Sequence, residues 1–345
     1  QRIITMRTTQ TTGGQLIYPR DLLSQLEELH EQGLQKGVST GWPGLDEYIT
    51  LKPGTTFYVY GQPFSGKSEW WFEVLLNTTC LQGWRHAIFS PETGAAHNIM
   101  AELISKYLRK PFYRNIPGCI TIEELYRAHN ELSEHFLIID AKDDEPLTLD
   151  SIFNLVADHE QQYGRIDTIT IDPWNELEHD FFERDGGRQD IYLERALGRI
   201  RRNAIKYNRI NCVITHIANQ TLIETDGYRC YPMPSPREIA GGQAFYRKGM
   251  NMVAAWRPPA PKNGVMMTNA ETGQPFRENE LVLEIQKFKP KGVGKRGRYS
   301  MYYDVHRNSY SEDRAGQFHY SIRERTQLQL TNQSLQNPTD DDLPF

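Results

Sequence analysis

The chain has 345 residues, with 39 Lys and Arg against 44 Asp and Glu, so its formal net charge is −5. This length is enough for a sizeable core, in two domains or in one domain with additional arms. No apolar run approaches a membrane span, and the N-terminus lacks the apolar stretch of a signal peptide. Four scattered cysteines indicate neither a disulfide framework nor a zinc site and favour a reducing, cytoplasmic location. The acidic net charge by itself argues against a nucleic-acid partner.

Residues 1–37 are predicted to form a flexible N-terminal arm that contains one helix. Residues 1–18 are rich in Thr, Gln and Gly. Residues 20–35 place leucines at roughly helical spacing, which is typical of a short amphipathic helix that packs on another surface.

Strand-like and helix-like segments alternate through the centre of the chain. The predicted strands are 55–61, 86–92, 135–141, 166–172 and 210–217. The predicted helices are 68–83, 98–108, 151–164 and 190–208. Near-continuous apolar strands separated by helices indicate an α/β fold, with a mostly parallel sheet flanked by helices. From about residue 245, the segments NMVAAWR, ELVLEIQKF and RYSMYYDVH indicate strands without helices between them, and therefore an antiparallel extension at the edge of the sheet.

The segment GQPFSGKS, residues 61–68, is the strongest functional signal. It fits the phosphate-binding loop G-x-x-x-x-G-K-[ST] and lies between a predicted strand and a predicted helix, as that motif requires. Backbone N–H groups and the helix N-terminus would face phosphate oxygens. Lys67 is predicted to reach the β- and γ-phosphates, and Ser68 to bind Mg²⁺. The predicted nucleotide contacts are Gly61, Gln62, Pro63, Phe64, Ser65, Gly66, Lys67, Ser68 and Glu69.

Polar residues at the ends of three further strands are candidates for the chemistry. Asp172 ends an apolar strand and is a candidate Mg²⁺ ligand, the alternative being that it caps the next segment. Glu92 is a candidate base for the attacking water, although an exposed loop carboxylate would give the same pattern. His216, in CVITHIANQ, is a candidate sensor of the γ-phosphate, the alternative being a structural histidine.

The order of these motifs resembles the RecA-like P-loop ATPase core of superfamily 4 replicative helicases, such as DnaB, Twinkle and the phage gene-4 helicase. The resemblance rests on STGWPGLDEY, the phosphate loop, FSPE, ITIDPWN and VITHIANQ, and it spans about residues 20–310. It implies a single ATPase domain at 38–320. It also implies a homohexameric ring that binds ATP or another nucleoside triphosphate with Mg²⁺ between subunits and draws single-stranded DNA through its centre. In this family the matching residues make Glu92 the catalytic base, His216 the sensor and Asp172 the magnesium ligand, and the helix at 20–35 would dock on a neighbouring subunit.

The same resemblance predicts two further contacts, a cation from a neighbouring subunit and an aromatic residue that stacks on the base. The family's trans-acting arginine lies in a K-x-R sequence, and here Lys289 stands at the arginine position. Because lysine lacks the planar fork of arginine, Arg296 and Arg298 are alternatives. The family's base-stacking aromatic residue falls near Tyr303, although Tyr302 or Tyr303 could equally belong to the core of the sheet.

Residues 234–252 fall where the family carries its central DNA-binding loop. The predicted contacts are Arg237, Gly241, Gly242, Gln243, Arg247 and Lys248. The glycines would allow close approach of phosphates, and Phe245 or Tyr246 could stack on a base. The alternative is a solvated basic loop. Between 286 and 298, six of thirteen residues are basic. Locally concentrated positive charge therefore makes salt-dependent binding of single-stranded DNA compatible with the acidic average.

The chain ends in DDDLPF, within a tail at 321–345 that is predicted to be disordered. The six residues Asp340, Asp341, Asp342, Leu343, Pro344 and Phe345 resemble the acidic C-terminal tip of bacterial single-stranded-DNA-binding protein. That resemblance implies binding to replication proteins that recognise such a tip, through the terminal aromatic residue and carboxylate. The alternative is an acidic tail that only increases solubility.

Together, these patterns predict an ATP-dependent, ring-forming replicative DNA helicase in the cytoplasm of a bacterium or a phage-infected host. Two alternatives stay open. One is a RecA-, RadA- or KaiC-like ATPase that does not unwind DNA, and the other is a non-catalytic replication adaptor that acts through its tail. The intact GKS sequence, Glu92 and Asp172 favour an enzyme over an adaptor.

Overall fold

The computed structural model divides into two units, Gln1–Lys36 and Gly37–Phe345. It describes residues 16–141, 145–179, 187–218, 220–289 and 292–312. In the first unit, a 3-10 turn at Pro19–Leu22 is followed by helix α1, Leu23–Gln32. The predicted amphipathic helix is therefore present, and its leucines are exposed. The predicted tail at 321–345 lies outside the described residues.

Helices and parallel strands alternate through the first part of the second unit, as predicted. The helices are α2 (Pro43–Asp46), α3 (Lys67–Gln82), α4 (Ala96–Leu108), α5 (Ile122–Ser133), α6 (Leu149–Tyr163) and α7 (Gln189–Lys206). The strands are β1 (Thr56–Gly61), β2 (His86–Phe89), β3 (Phe136–Ile138), β4 (Thr168–Ile171) and β5 (Ile210–His216). Within the described residues, no helix is both long and apolar enough to cross a membrane.

The second part of the unit consists mainly of strands. They are β6 (Ile223–Thr225), β7 (Tyr228–Cys230), β8 (Asn251–Trp256), β9 (Thr268–Asn269), β10 (Gln274–Pro275), β11 (Glu280–Lys287), β12 (Gly297–Asp304) and β13 (Ser309–Ser311), and helix α8 (Gly242–Lys248) precedes β8. Nine strands of the described chain form one sheet in the order β13-β12-β11-β8-β1-β5-β4-β2-β3. The pairs β6–β7 and β9–β10 are separate hairpins.

Strand direction divides the sheet into two parts. β1 pairs in parallel with β5 and β8, and β2 pairs in parallel with β3 and β4. β11 is antiparallel to β8 and β12, and β12 is antiparallel to β13. The predicted antiparallel extension is confirmed, with one correction. The segment NMVAAWR forms β8, which is parallel to β1 and belongs to the parallel part.

Helices cover both faces of the parallel part, which explains its near-continuous apolar strands. Phe57 and Val59 of β1 face the cluster formed with helices α2 to α5. Tyr58 and Tyr60 face the cluster formed with helices α6 to α8. The phosphate loop follows β1, Asp172 follows β4 and His216 ends β5, so these groups lie at the carboxyl ends of the parallel strands.

Some elements differ from the sequence-based expectation. The strand predicted at 86–92 ends at Phe89, and Glu92 lies in a 3-10 turn at Pro91–Thr93, because proline has no N–H for the sheet. Helix α5 was not predicted, although its capping box, formed by Thr121 and Glu124, is a local sequence signal. The β6–β7 and β9–β10 hairpins were also missed, since their strands have only two or three residues.

Candidate nucleotide and DNA site

The phosphate loop joins the end of β1 to the start of α3, and its two glycines are required by the backbone. A Cβ at Gly61 would lie 2.3 Å from the carbonyl oxygen of Ala255, so a larger residue would clash with the neighbouring strand. Gly66 has φ +88° and precedes the helix, a left-handed conformation that glycine adopts at low cost. The loop therefore has the strand–turn–helix geometry that the motif predicts, with the side chain of Phe64 almost fully exposed.

Lys67 is enclosed by its own loop. Its side chain is buried, and its Nζ donates to the carbonyl oxygens of Gln62 at 2.8 Å and Gly61 at 3.3 Å. Burial lowers the pKa of Lys67 to about 8, although the carboxylates of Asp172 and Glu92 act in the opposite direction. The buried hydroxyl of Ser65 has no hydrogen-bond partner among the described residues. A cation and an unpaired hydroxyl thus lie in the loop that is predicted to bind phosphates.

Asp172 follows β4 and is 3% exposed. Burial raises the pKa of Asp172, while hydrogen bonds from Ser68 and Ser90 favour its charged form. The distance from Ser90 Oγ to Asp172 Oδ2 is 3.1 Å. The capping alternative is not supported, because Pro173 is the residue that precedes the next 3-10 turn. Mg²⁺ in nucleotide sites usually takes one or two protein oxygens and completes its shell with phosphates and water. The carboxylate of Asp172 beside the hydroxyl of Ser68 fits that donor set.

His216 connects two other predicted site residues. Its Nδ1 lies 3.4 Å from Lys67 Nζ, and its Nε2 lies 3.1 Å from both carboxylate oxygens of Glu92. Because an ammonium group can only donate, Nδ1 is the acceptor and Nε2–H donates to Glu92. The candidate sensor therefore links the phosphate-loop lysine to the candidate base. Both of these contacts are to predicted site residues, which favours a functional histidine over a structural one.

A pair of glutamines, of which Gln220 was missed from the sequence, connects the phosphate loop to the predicted DNA segment. Gln62 Nε2 donates to Gln220 Oε1 at 2.8 Å. Gln220 in turn donates to Glu238 Oε2 at 3.3 Å, and Glu238 lies in a 3-10 turn at Pro236–Glu238. Gln220 ends the segment CVITHIANQ, so its position near a strand end was the available signal. Asn219 of that segment lies outside the described residues.

Two of the predicted nucleic-acid contacts are wrong in their proposed roles. Phe245 is fully buried on α8, where its ring packs edge-on against Tyr58 at 5.5 Å and Trp174 at 6.2 Å between centroids. It cannot stack on a base from this position. Gly242 is also buried, its N–H donates to the carbonyl of Ile239, and a Cβ there would lie 2.1 Å from the carbonyl oxygen of Pro236. Close packing explains this glycine, whose N–H is not available to a phosphate.

Other residues of the segment form an exposed polar surface. The exposed residues are Arg237, Gly241, Gln243, Tyr246 and Arg247. Arg247 and Lys248 both pair with Glu194 of α7, at 2.5 Å and 3.0 Å. Lys287 of β11 lies 4.7 Å from the centroid of the Tyr246 ring and donates to its backbone carbonyl. We name Arg237, Gln243, Tyr246, Arg247 and Lys287 the basic surface.

The candidates for the trans-acting cation lie in different surroundings. Arg298 of β12 is held by Glu271 at 2.8 Å and by Glu284 at 3.1 Å. Lys289 and Arg296 are exposed. Arg298 is therefore engaged by two carboxylates of its own chain.

Tyr302 and Tyr303 point to opposite faces of β12, as successive strand residues do. Tyr302 is buried, and the half-buried ring of Tyr303 lies 5.0 Å from that of Tyr310. The guanidinium of Arg257, a residue missed from the sequence, lies 5.9 Å from the Tyr303 ring and borders Gly66 of the phosphate loop. Of the two tyrosines, Tyr303 is therefore the one on the phosphate-loop side.

Comparison with known proteins gives the fold. No family model matches the chain. A structure described as a DnaB-like replicative helicase and its interactions with primase matches with a TM-score of 0.64 and 15% identity, covering 85% of this chain and 67% of that one. The chain has a RecA-like ATPase fold. A second solved structure, an isolated ATPase domain, gives the same TM-score and identity, covering 84% of this chain and 96% of that domain. The predicted fold is thereby confirmed.

One curated protein is similar in sequence over most of this chain. The Twinkle homolog protein, chloroplastic/mitochondrial, of Arabidopsis thaliana is 27% identical over 302 residues. The match covers 85% of this chain and 39% of the relative, so this chain spans well under half of the relative's length. It supports the resemblance drawn from the order of the motifs.

Proposed function

We propose that this chain is the ATPase domain of a replicative DNA helicase, which hydrolyses ATP or another nucleoside triphosphate and moves along single-stranded DNA. The observation that carries the proposal is the contact from Lys67 through His216 to Glu92, beside Asp172 and Ser68. Five residues predicted from four motifs lie together at the carboxyl ends of the parallel strands. The similarity to a Twinkle homolog and to DnaB-like structures supports the same assignment.

The geometry gives each residue a role in hydrolysis. Lys67 would exchange its carbonyl contacts for the β- and γ-phosphates, and Glu92 would orient and deprotonate the attacking water. His216 contacts both, so a phosphate that draws Lys67 away would change the hydrogen bond that His216 gives to Glu92. In this way the base would respond to the γ-phosphate. Mg²⁺, held by Asp172 and Ser68, would neutralise charge on the phosphates.

We assign the basic surface to single-stranded DNA. Its arginine and lysine side chains suit phosphates, and Tyr246 offers an exposed ring for stacking on a base. Binding should weaken as salt rises and should be insensitive to base sequence. Filter binding at increasing salt tests this, and an affinity that is unchanged between low and high salt would contradict phosphate contacts.

Ring formation and the other partners belong to the same proposal. The exposed leucines of α1 suit docking on a neighbouring copy in a homohexamer, where Lys289 or Arg296 would complete the nucleotide site.

Replication proteins would bind the acidic tip of the chain, which consists of Asp340, Asp341, Asp342, Leu343, Pro344 and Phe345. Deletion of Phe345 should abolish that binding without affecting hydrolysis. An unchanged pull-down would contradict the role of the tip. A cytoplasmic location stays a prediction.

DNA-stimulated turnover tests the hydrolytic site. Wild-type protein should hydrolyse ATP faster when single-stranded DNA is added, and Lys67→Ala should remove both basal and stimulated turnover. The exposed Lys36→Ala variant is the control and should match wild type. Retained turnover in Lys67→Ala would contradict the site assignment, whereas absence of turnover in wild type would favour the non-catalytic adaptor.

A further inference from the structure

A fully buried lysine lies behind the phosphate loop, outside the predicted site. Lys106 of α4 forms ion pairs with Glu69, the residue after Ser68, and with Glu102 at 3.2 Å. Burial alone would lower the pKa of Lys106, but the two carboxylates raise it above its ordinary value, so the lysine is charged at neutral pH. The first turn of α3 is thereby bound to α4.

The same ammonium group also binds the turn between β12 and β13. Lys106 Nζ donates to Asn308 Oδ1 at 2.8 Å. Asn308 has φ +49° and donates to Glu102 Oε1 at 2.9 Å. The hydroxyl of Tyr303 donates to the same Oδ1 of Asn308, and Lys106 Nζ lies 5.4 Å from the centroid of the Tyr303 ring. Lys106 therefore contacts both the start of α3 and the support of Tyr303.

These two groups do not lie on neighbouring strands of the sheet. The phosphate loop follows β1, Tyr303 lies on β12, and β8 and β11 stand between these strands in the sheet. The cluster Lys106, Glu69, Glu102 and Asn308 bridges the gap on one face. A buried ion pair is a weak source of stability because desolvation offsets much of the attraction, and in some proteins such a pair serves to define one arrangement.

We propose that Lys106 is a positioning residue that sets the separation between the phosphate loop and Tyr303, and thereby the affinity for the base of the nucleotide. This inference rests on the proposed function, and on the family resemblance that makes Tyr303 the candidate for stacking on that base. If Lys106 acts in this way, its loss should weaken binding of a nucleotide that has a base and should spare a ligand that has only phosphates.

The inference is tested by measuring the binding of ATP, which has a base, and of inorganic tripolyphosphate, which has only phosphates, each with Mg²⁺. Asn308→Gly removes the side-chain link but suits the left-handed backbone, so it tests the cluster without leaving a buried charge alone. Lys106→Met removes the charge at similar length, and Lys110→Met, at a partly exposed ion pair with Glu124 just beyond α4, is the matched control. We expect Asn308→Gly and Lys106→Met to weaken ATP binding about tenfold, the size of losing one or two buried polar contacts. Tripolyphosphate binding should change less than about twofold, and the control should match wild type.

The inference is decided by comparing the loss of ATP binding with the loss of tripolyphosphate binding. A loss confined to ATP, absent when Tyr303→Ala is already present, supports the inference. An equal loss for both ligands in Asn308→Gly would overturn it, because the cluster would then serve only folding or the phosphate loop, and so would unchanged ATP binding. Because Asn308→Gly keeps the lysine, it remains informative if Lys106→Met does not fold. Failure of wild type to bind either ligand would refute the proposed function instead.

Discussion

The phosphate end of the site and the basic surface are built in different ways. At the phosphate end, Lys67, Asp172 and His216 stand at or beside the ends of parallel strands, where the backbone of the sheet fixes their separation. On the basic surface, exposure depends on how the short helix α8 packs and on ion pairs such as that of Arg247 with Glu194. Positions set by the sheet backbone follow from sequence motifs, whereas positions set by side-chain packing do not.

The largest expected effect of a substitution is a loss of ATP turnover at the phosphate end of the site. Glu92→Gln should lower turnover about 10² to 10⁴-fold, the usual contribution of a general base, while ATP binding is retained. Single-turnover kinetics and nucleotide titration measure the two quantities. Glu176→Gln, at an exposed carboxylate in the 3-10 turn Trp174–Glu176, is the control. Turnover close to wild type in Glu92→Gln would assign the base to another residue.

Two neighbouring aromatic residues on α8, the buried Phe245 and the exposed Tyr246, should affect stability and DNA binding differently when they are replaced. Phe245→Ala should destabilise the fold by about 3–5 kcal/mol, as expected for a buried ring. Tyr246→Ala should change stability by less than about 0.5 kcal/mol and weaken DNA binding by about 1–3 kcal/mol. Urea denaturation and filter binding measure these quantities. The opposite pattern would restore Phe245 as the stacking residue.

The low pKa of Lys67 predicts a pH dependence. Phosphates favour the charged lysine, so ATP affinity should fall about tenfold per pH unit above a pKa of about 8. The free energy of unfolding depends on pH in the opposite direction to ATP affinity. The unfolded chain holds this proton up to about pH 10.5, so the contribution of Lys67 stabilises the native state increasingly as pH rises from 8 to 10.5. Calorimetric titration at pH 7 and pH 9 tests the first effect, with Lys67→Arg as the variant that should lose it. A flat wild-type affinity would contradict a buried, phosphate-facing lysine.

The smallest expected effect is a loss of DNA stimulation when the hydrogen bonds between the phosphate loop and the predicted DNA segment are removed. Gln220→Ala removes the hydrogen bonds to Gln62, to Glu238 and to the backbone carbonyl of Pro232, each worth about 1 kcal/mol. We expect stimulation of turnover by DNA to fall about fivefold while basal turnover is unchanged. The exposed Gln161→Ala variant is the control. Full stimulation in Gln220→Ala would show that the regions communicate by another route.

The same contrast explains how far the sequence allowed prediction. The strand–loop–helix at Gly61 to Lys67 and the acidic strand end at Asp172 follow from local patterns, so the parallel fold and the phosphate end were predictable. Arg257, Gln220 and Lys106 were missed because their contacts come from elements distant in the chain. The choice between Phe245 and Tyr246 stayed open because an aromatic residue beside basic residues gives the same local pattern whether its ring faces DNA or the core.

The central claim is tested most directly by unwinding of a forked DNA duplex. Wild-type protein with ATP and Mg²⁺ should separate the strands, Lys67→Ala should not, and electron micrographs of the same mixture should show six-membered rings around one strand. Robust DNA-stimulated hydrolysis with no strand separation on forks of either polarity would contradict the helicase assignment and favour a RecA-like ATPase.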